Sequence, residues 1–239
     1  MSNILFCLGC LDPKIKNIYN MKDFKTFINE NLLVPRNLEG RKEKLKQMNM
    51  KLLSQEVIDG DLHLDESFMN IDAKFVKLKK VNGGVWLIER KWTEIPEWLK
   101  DVEILGSFSC SGNKLTTMKN CPQKIGGSFW CNNNLLSSLE GCAKEISGHF
   151  ECDNNLLISL KGSPKNVEGY FSCSNNQLST LEGCVKNVGL DFWCEYNVLS
   201  SLEGCPETIK GDFYCKNNKV ILELPENVKL KGKFINLKF

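Results

Sequence analysis

The chain has 239 residues, 31 of them basic and 29 acidic, with 42% hydrophobic and 25% charged residues. That is the composition of a folded protein with a core of its own. The net charge of +2 sets up no global field to draw in nucleic acid or a membrane surface, and no apolar run approaches the roughly 18 residues of a membrane-spanning helix.

Residues 1–56 read as a helical region. The apolar start, Met1 to Leu11, has no basic residue ahead of it and no small-residue cleavage site, so a secretory signal is not expected. Leu8-Gly9-Cys10 stands too near Met1 for a lipoprotein box. The expected location is the reducing cytoplasm of the producing cell. Cys7-x-x-Cys10 is half of a zinc or redox motif, but no second close cysteine pair follows it, and structural thiols are expected. Asp12-Pro13 opens a helical pattern carried by Ile15, Ile18, Tyr19, Phe24, Phe27, Ile28, Leu32 and Leu33 until Pro35 stops it. The spacing predicts a second helix over Leu38 to Leu53, with Leu45, Met48 and Leu52 as its apolar stripe.

Beyond residue 57 the chain repeats. Val57, Gly60, Leu62 and Leu64 predict one strand. Gly84, Leu87, Trp92, Ile95, Pro96, Ile104 and Gly106 predict an irregular unit, with Leu87 where later units carry Phe. From there Phe recurs at 108, 129, 150, 171, 192, 213 and 234, always 21 residues apart. Cys follows two residues later at 110, 131, 152, 173, 194 and 215. Asn follows five residues later at 113, 134, 155, 176, 197 and 218. Ile125, Gly127, Phe129 and Cys131 alternate with period two, which predicts one strand with these residues on its core side. Asn134 then ends the strand, its amide satisfying backbone groups at the turn, and such residues stack into a ladder. Leu136 and Leu139 return the chain to the core. A 21-residue unit leaves room only for extended or 3₁₀ returns. The expected fold class is an α/β solenoid: a parallel β-sheet, short returns and an N-terminal helical cap, in two domains, 1–56 and 57–239. Eight rungs from Leu87 to Phe234, at ~4.8 Å each, give a stack of about 34 Å.

Phe-x-Cys-x-x-Asn-x-Leu-x-x-Leu resembles the leucine-rich-repeat signature L-x-L-x-x-N/C-x-L. Pro206-x-x-Ile209 resembles the short proline-containing units of secreted bacterial effectors. Phe replaces the first strand Leu, and one residue is added between Pro and the strand. Phrases such as Ser137-Ser138-Leu139-Glu140-Gly141-Cys142 are similar to glycine- and cysteine-rich repeat proteins of large tailed bacteriophages. The likeness spans residues 84–239. Met21 to Glu30 resembles the capsid-targeting peptides of proteins packaged in such phages. Its Ile28-Asn29-Glu30 fits the Leu/Ile-x-Glu form of a prohead-protease site, which makes these three residues a candidate processing site. The resemblance implies a phage-encoded protein, carried in the virion or acting on a host protein.

Strand residues between core positions face solvent. They are expected to line a concave sheet and bind a protein partner: Trp130, His149, Glu151, Asp153, Tyr170, Asp191, Trp193, Glu195, Asp212 and Tyr214. Trp86, Ile88 and Arg90 extend this face. Outward aromatics among acids suit a partner with basic and apolar groups. His63, on a strand, reads as structural. The cysteines form two columns, one beside Phe and one (Cys121, Cys142, Cys184, Cys205) on the outer return. Ser163 completes the second, which argues against a needed thiol there. No catalytic motif is present. The expected function is therefore non-enzymatic protein binding, with no cofactor, metal, nucleic acid or membrane partner. Lys229, Lys231, Lys233 and Lys238 flank the last strand as gatekeepers of an open edge. The alternative is a structural or assembly protein that forms homo-oligomers through that edge.

Overall fold

The computed structural model describes residues 38–87 and 91–236. The helical pattern before Pro35, Cys7-x-x-Cys10, Ile28-Asn29-Glu30, Ile88, Arg90 and Lys238 lie outside the described residues. The chain divides into two compact units between Asn49 and Met50, and the second is the solenoid.

Helix α1 spans Leu38–Leu53, as its periodicity predicts. Its buried face differs from the expected stripe: Asn49 and Leu53 are buried, while Leu45 is exposed. Each four-residue step advances a side chain by about 40° around the helix, so Leu45 points roughly 80° away from Leu53. Leu53 is wholly enclosed in the solenoid core, and Met50 and Leu52 pack beside it.

Among the described residues the solenoid has two parallel sheets of nine short strands each. The first runs from Val57–Ile58 to Lys229–Leu230, the second from Leu62–Leu64 to Phe234–Ile235. The single strand expected over Ile125–Cys131 is thus corrected to two. Lys124–Ile125 belongs to the first sheet and Phe129–Trp130 to the second. The chain bends between them at Gly126 and Gly127, where the coils come very close. A Cβ on Gly127 would lie 2.6 Å from Ser107 Oγ and 2.8 Å from the Gly106 carbonyl carbon. The inward set survives the bend, since Ile125, Phe129 and Cys131 are all buried.

The pairing register corrects the irregular units. Val85 pairs with Phe108 and Leu62 with Val85, so Val85 holds the Phe place, not Leu87. These two steps are 23 residues long (108 − 85 and 85 − 62). Nine strands at ~4.8 Å give a stack of about 38 Å, one rung longer than expected.

The core is built from columns. The rings of Phe108, Phe129, Phe150, Phe171, Phe192, Phe213 and Phe234 follow one another at 5.0–5.5 Å between centroids, within the range that aromatic pairs favour. All ten described cysteines are unpaired thiols. The column beside Phe is buried. The second column is not simply outer surface: Cys121 and Cys142 are buried, and Cys184 and Cys205 partly so. Burial raises their thiol pKa values, that of Cys121 to about 12, so these groups behave as small apolar side chains.

The asparagine column joins the coils through backbone groups rather than through amide–amide contacts. Asn155 Nδ2 donates to the Cys131 and Cys152 carbonyls at 3.1 Å each, and its Oδ1 accepts from Leu136 N–H at 3.0 Å. The same set recurs at Asn134, Asn176, Asn197 and Asn218. The residue before each makes the turn with positive φ: Asn133, Asn154, Asn175, Tyr196 and Asn217. Asparagine tolerates that conformation better than most residues. Among the described residues, 3₁₀ turns are confined to the irregular units, at Glu66–Phe68, Ala73–Phe75 and Glu97–Leu99. The regular returns are extended segments and turns.

Candidate functional site

The second sheet carries the candidate face. Trp130, His149, Glu151, Asp153, Tyr170, Asp191, Trp193, Glu195, Asp212 and Tyr214 all lie in its outward columns, and all ten are half-exposed. Trp86 shares the column, paired with Ser109 on one side and His63 on the other. The His63 and Trp86 rings stack 5.0 Å apart.

The column just before each Phe has a structural task that its irregular composition conceals. At each bend the first-sheet hydrogen bonding ends when Gly127 N–H takes the Gly106 carbonyl at 2.8 Å. The next N–H, that of Ser128, then has no carbonyl to meet. Ser107 Oγ supplies the acceptor at 3.0 Å. The arrangement recurs along the stack except at Gly84 and Tyr170, which accept no such bond among the described residues. Asp61 accepts from Gly84 N–H, Ser128 from His149 N–H, His149 Nδ1 from Tyr170 N–H, Asp191 from Asp212 N–H, and Asp212 from Lys233 N–H. The column therefore tolerates Asp, Ser or His because each can accept. Sequence reasoning assigned this irregularity to partner choice. The shared acceptor chemistry was the signal for its other role.

His149 accepts the Tyr170 N–H at Nδ1, and its ring stacks on Tyr170 with centroids 3.9 Å apart. Tyr170 OH donates to Glu151 Oε1, which also accepts from Trp130 Nε1 at 3.2 Å. Burial and the bond to Glu151 push the Tyr170 hydroxyl up to about 12. Asp153 accepts from Ser172 Oγ at 2.5 Å and Ser174 N–H at 2.6 Å. Burial nevertheless pushes its carboxyl up to about 6, against the pull of these two bonds. Asp212 is held below the usual range, first by the Lys233 N–H. Tyr214 OH donates to its Oδ2 at 3.1 Å.

Of the five acids on the face, four are thus engaged within the chain. Glu195 is the exception: among the described residues no side-chain hydrogen bond or ion pair holds its carboxylate. It lies beside Trp193, whose ring meets Tyr170 edge-on at 5.1 Å and stacks on Tyr214 at 5.5 Å. Tyr170, Trp193 and Tyr214 thus form a ring series with Glu195 beside it toward one end of the face. Between Trp130 and the His63–Trp86 stack the face is lined by Ser107, Ser109, Ser111 and Asn132, with Ser111 Oγ donating to Asn132 Oδ1. Among the described residues no group of His, Cys, Asp and Glu is placed to hold a metal ion.

This architecture defines the class: a repeat protein, a parallel β-solenoid with 21-residue coils. No family model, curated protein or solved structure matches the chain.

Proposed function

We propose that this protein is a non-enzymatic solenoid of leucine-rich-repeat type that binds a protein partner through the outward face of its second sheet. The observation that carries the reading is the ring series Tyr170–Trp193–Tyr214, half-exposed and continuous over three coils, beside the unengaged Glu195. Rigid aromatic rings held against one another lose little freedom on binding and dominate interface energetics. The adjoining carboxylate favours a cationic neighbour, so the partner presents arginine or lysine together with apolar groups. Ser107, Ser128, His149, Asp191 and Asp212, the acceptors in the column before Phe, are assigned to the fold, which leaves Tyr170 of that column and the remaining columns as the binding determinants.

The phrases shared with tailed-phage repeat proteins support a phage-encoded protein, carried in the virion or acting on a host protein. The unpaired, buried cysteines accord with a reducing cytoplasm in the producing cell.

Selection from a random peptide display library tests the reading. Enriched peptides should combine Arg or Lys with apolar residues. Their binding should be lost in Trp193→Ala and weakened in Glu195→Gln, with the unfolding midpoint changed little. Absence of enrichment, or binding indifferent to Trp193→Ala, refutes it.

A further inference from the structure

A cavity of about 220 Å³ lies outside the second-sheet face, among the return segments of the two irregular coils. Its walls are Phe68 to Ile71 of one coil and, of the next, Trp92 to Glu94 with Pro96 and Glu97. Trp92 stands where regular coils carry Leu: its N–H donates to Asn113 Oδ1 at 3.1 Å, as Leu115 N–H does to Asn134 Oδ1 at 3.0 Å. The 23-residue spacing and the 3₁₀ turns Glu66–Phe68 and Glu97–Leu99 set these returns apart from the regular ones.

The cavity has a graded chemistry. Phe68, Ile71 and Trp92 are buried and form an apolar floor. The exposed side chains at its mouth include Glu94 and Glu97, and among the described residues none that lines it is basic. Glu97 lies 3.4 Å from Lys100 Nζ, with both side chains largely in solvent. Such a pair is worth little and exchanges readily for another cation.

The geometry points to a socket for a peptide segment of a partner protein, one apolar side chain seated on the Phe68–Trp92 floor and flanked by lysine or arginine that meets Glu94 and Glu97. The volume suits a single side chain the size of leucine or phenylalanine. A charged tip driven to the floor would lose its water with no carboxylate to meet it, whereas a cation beside the mouth keeps both. An acidic segment is excluded by the two carboxylates. This socket is independent of the ring series on the second sheet and shares no residue with it.

Amide and indole NMR spectra of the full chain, titrated with acetyl-Lys-Lys-Leu-Lys-Lys-amide, test the assignment. Shifts should be confined to residues 68–71 and 92–97, with the Trp92 indole N–H among them. Replacing the peptide's Leu by Ala should weaken binding about tenfold. The double variant Glu94→Gln with Glu97→Gln should weaken it roughly fivefold, leaving the unfolding midpoint unchanged because both side chains are exposed. The acidic counterpart acetyl-Glu-Glu-Leu-Glu-Glu-amide should give no shifts. No response, equal response to the Ala peptide, or shifts confined to the second-sheet face would overturn the socket. The last outcome would leave the proposed binding face standing.

Discussion

Replacing Asn155 by Ala removes one rung of the ladder, the one that joins its own coil to the coil before it. Asn155 lies within the buried core of the stack, where water cannot replace the lost amide. The change leaves Leu136 N–H without its 3.0 Å acceptor and the Cys131 and Cys152 carbonyls without their 3.1 Å donor. A buried group that loses its partner costs about 1–3 kcal/mol. The Cys152 and Cys131 carbonyls have second lone pairs engaged elsewhere, so the lower part of that range applies to each. The sum is roughly 3–5 kcal/mol, a large share of the stability of a domain this size. Asn155→Asp retains the acceptor but sets a carboxylate against two carbonyls, and should be at least as damaging at neutral pH. Urea unfolding followed by tryptophan fluorescence gives the loss. Hydrogen exchange should accelerate first at Leu136, because a solenoid is stabilised by nearest-neighbour contacts. Leu156→Ala, at the neighbouring exposed position, serves as the control and should change stability by less than about 0.5 kcal/mol. A loss below about 1 kcal/mol for Asn155→Ala would refute the view that the column is architectural.

Asp153 carries a pH-dependent cost. Its carboxyl is raised from 3.8 to about 6 by burial, so the folded chain holds the proton more tightly than the unfolded one. Its contribution therefore favours folding at pH below about 4 and fades as the pH rises through about 6. Asp153→Asn keeps an acceptor for Ser172 and Ser174, and should stabilise by roughly 1–2 kcal/mol at pH 7 while leaving stability near pH 4 unchanged; an equal effect at both pH values would sink the assignment. Ser163 Oγ is buried without a hydrogen-bond partner among the described residues, in the column that Cys121, Cys142, Cys184 and Cys205 otherwise fill. Ser163→Cys should raise stability by about 1 kcal/mol in thermal or urea unfolding, and a loss would show that the hydroxyl has a role at that place.

The regular coils were legible because a 21-residue period puts the same demand on every unit. Phe129 and Cys131 had to share the inward side, and Asn134 had to serve backbone groups, whatever the strand did between them. The irregular units were less legible. Leu87 sits 21 residues before Phe108, yet Val85 takes that place, since each irregular step is two residues longer and only pairing fixes register. The stripe on α1 was misplaced for a related reason: apolar spacing placed Leu45 on the inner face, but contact with the core decides which side is covered, and Leu53 makes that contact.

The candidate face divides in the same way. Alternation alone assigned Trp130, Trp193, Glu195 and their neighbours to solvent, because successive side chains of an extended chain must point to opposite sides. It said nothing of which outward residues the fold itself consumes. That depended on the bend at Gly126 and Gly127, which splits one expected strand between two sheets and leaves an N–H in want of an acceptor at each coil. Sequence by itself determined the repeat, the inward columns and the outward set. Tertiary structure alone decided the number of sheets, the register of the first coils, and which outward side chains hold the stack together. Composition is local, whereas the direction of a hydrogen bond between coils exists only once the coils are stacked.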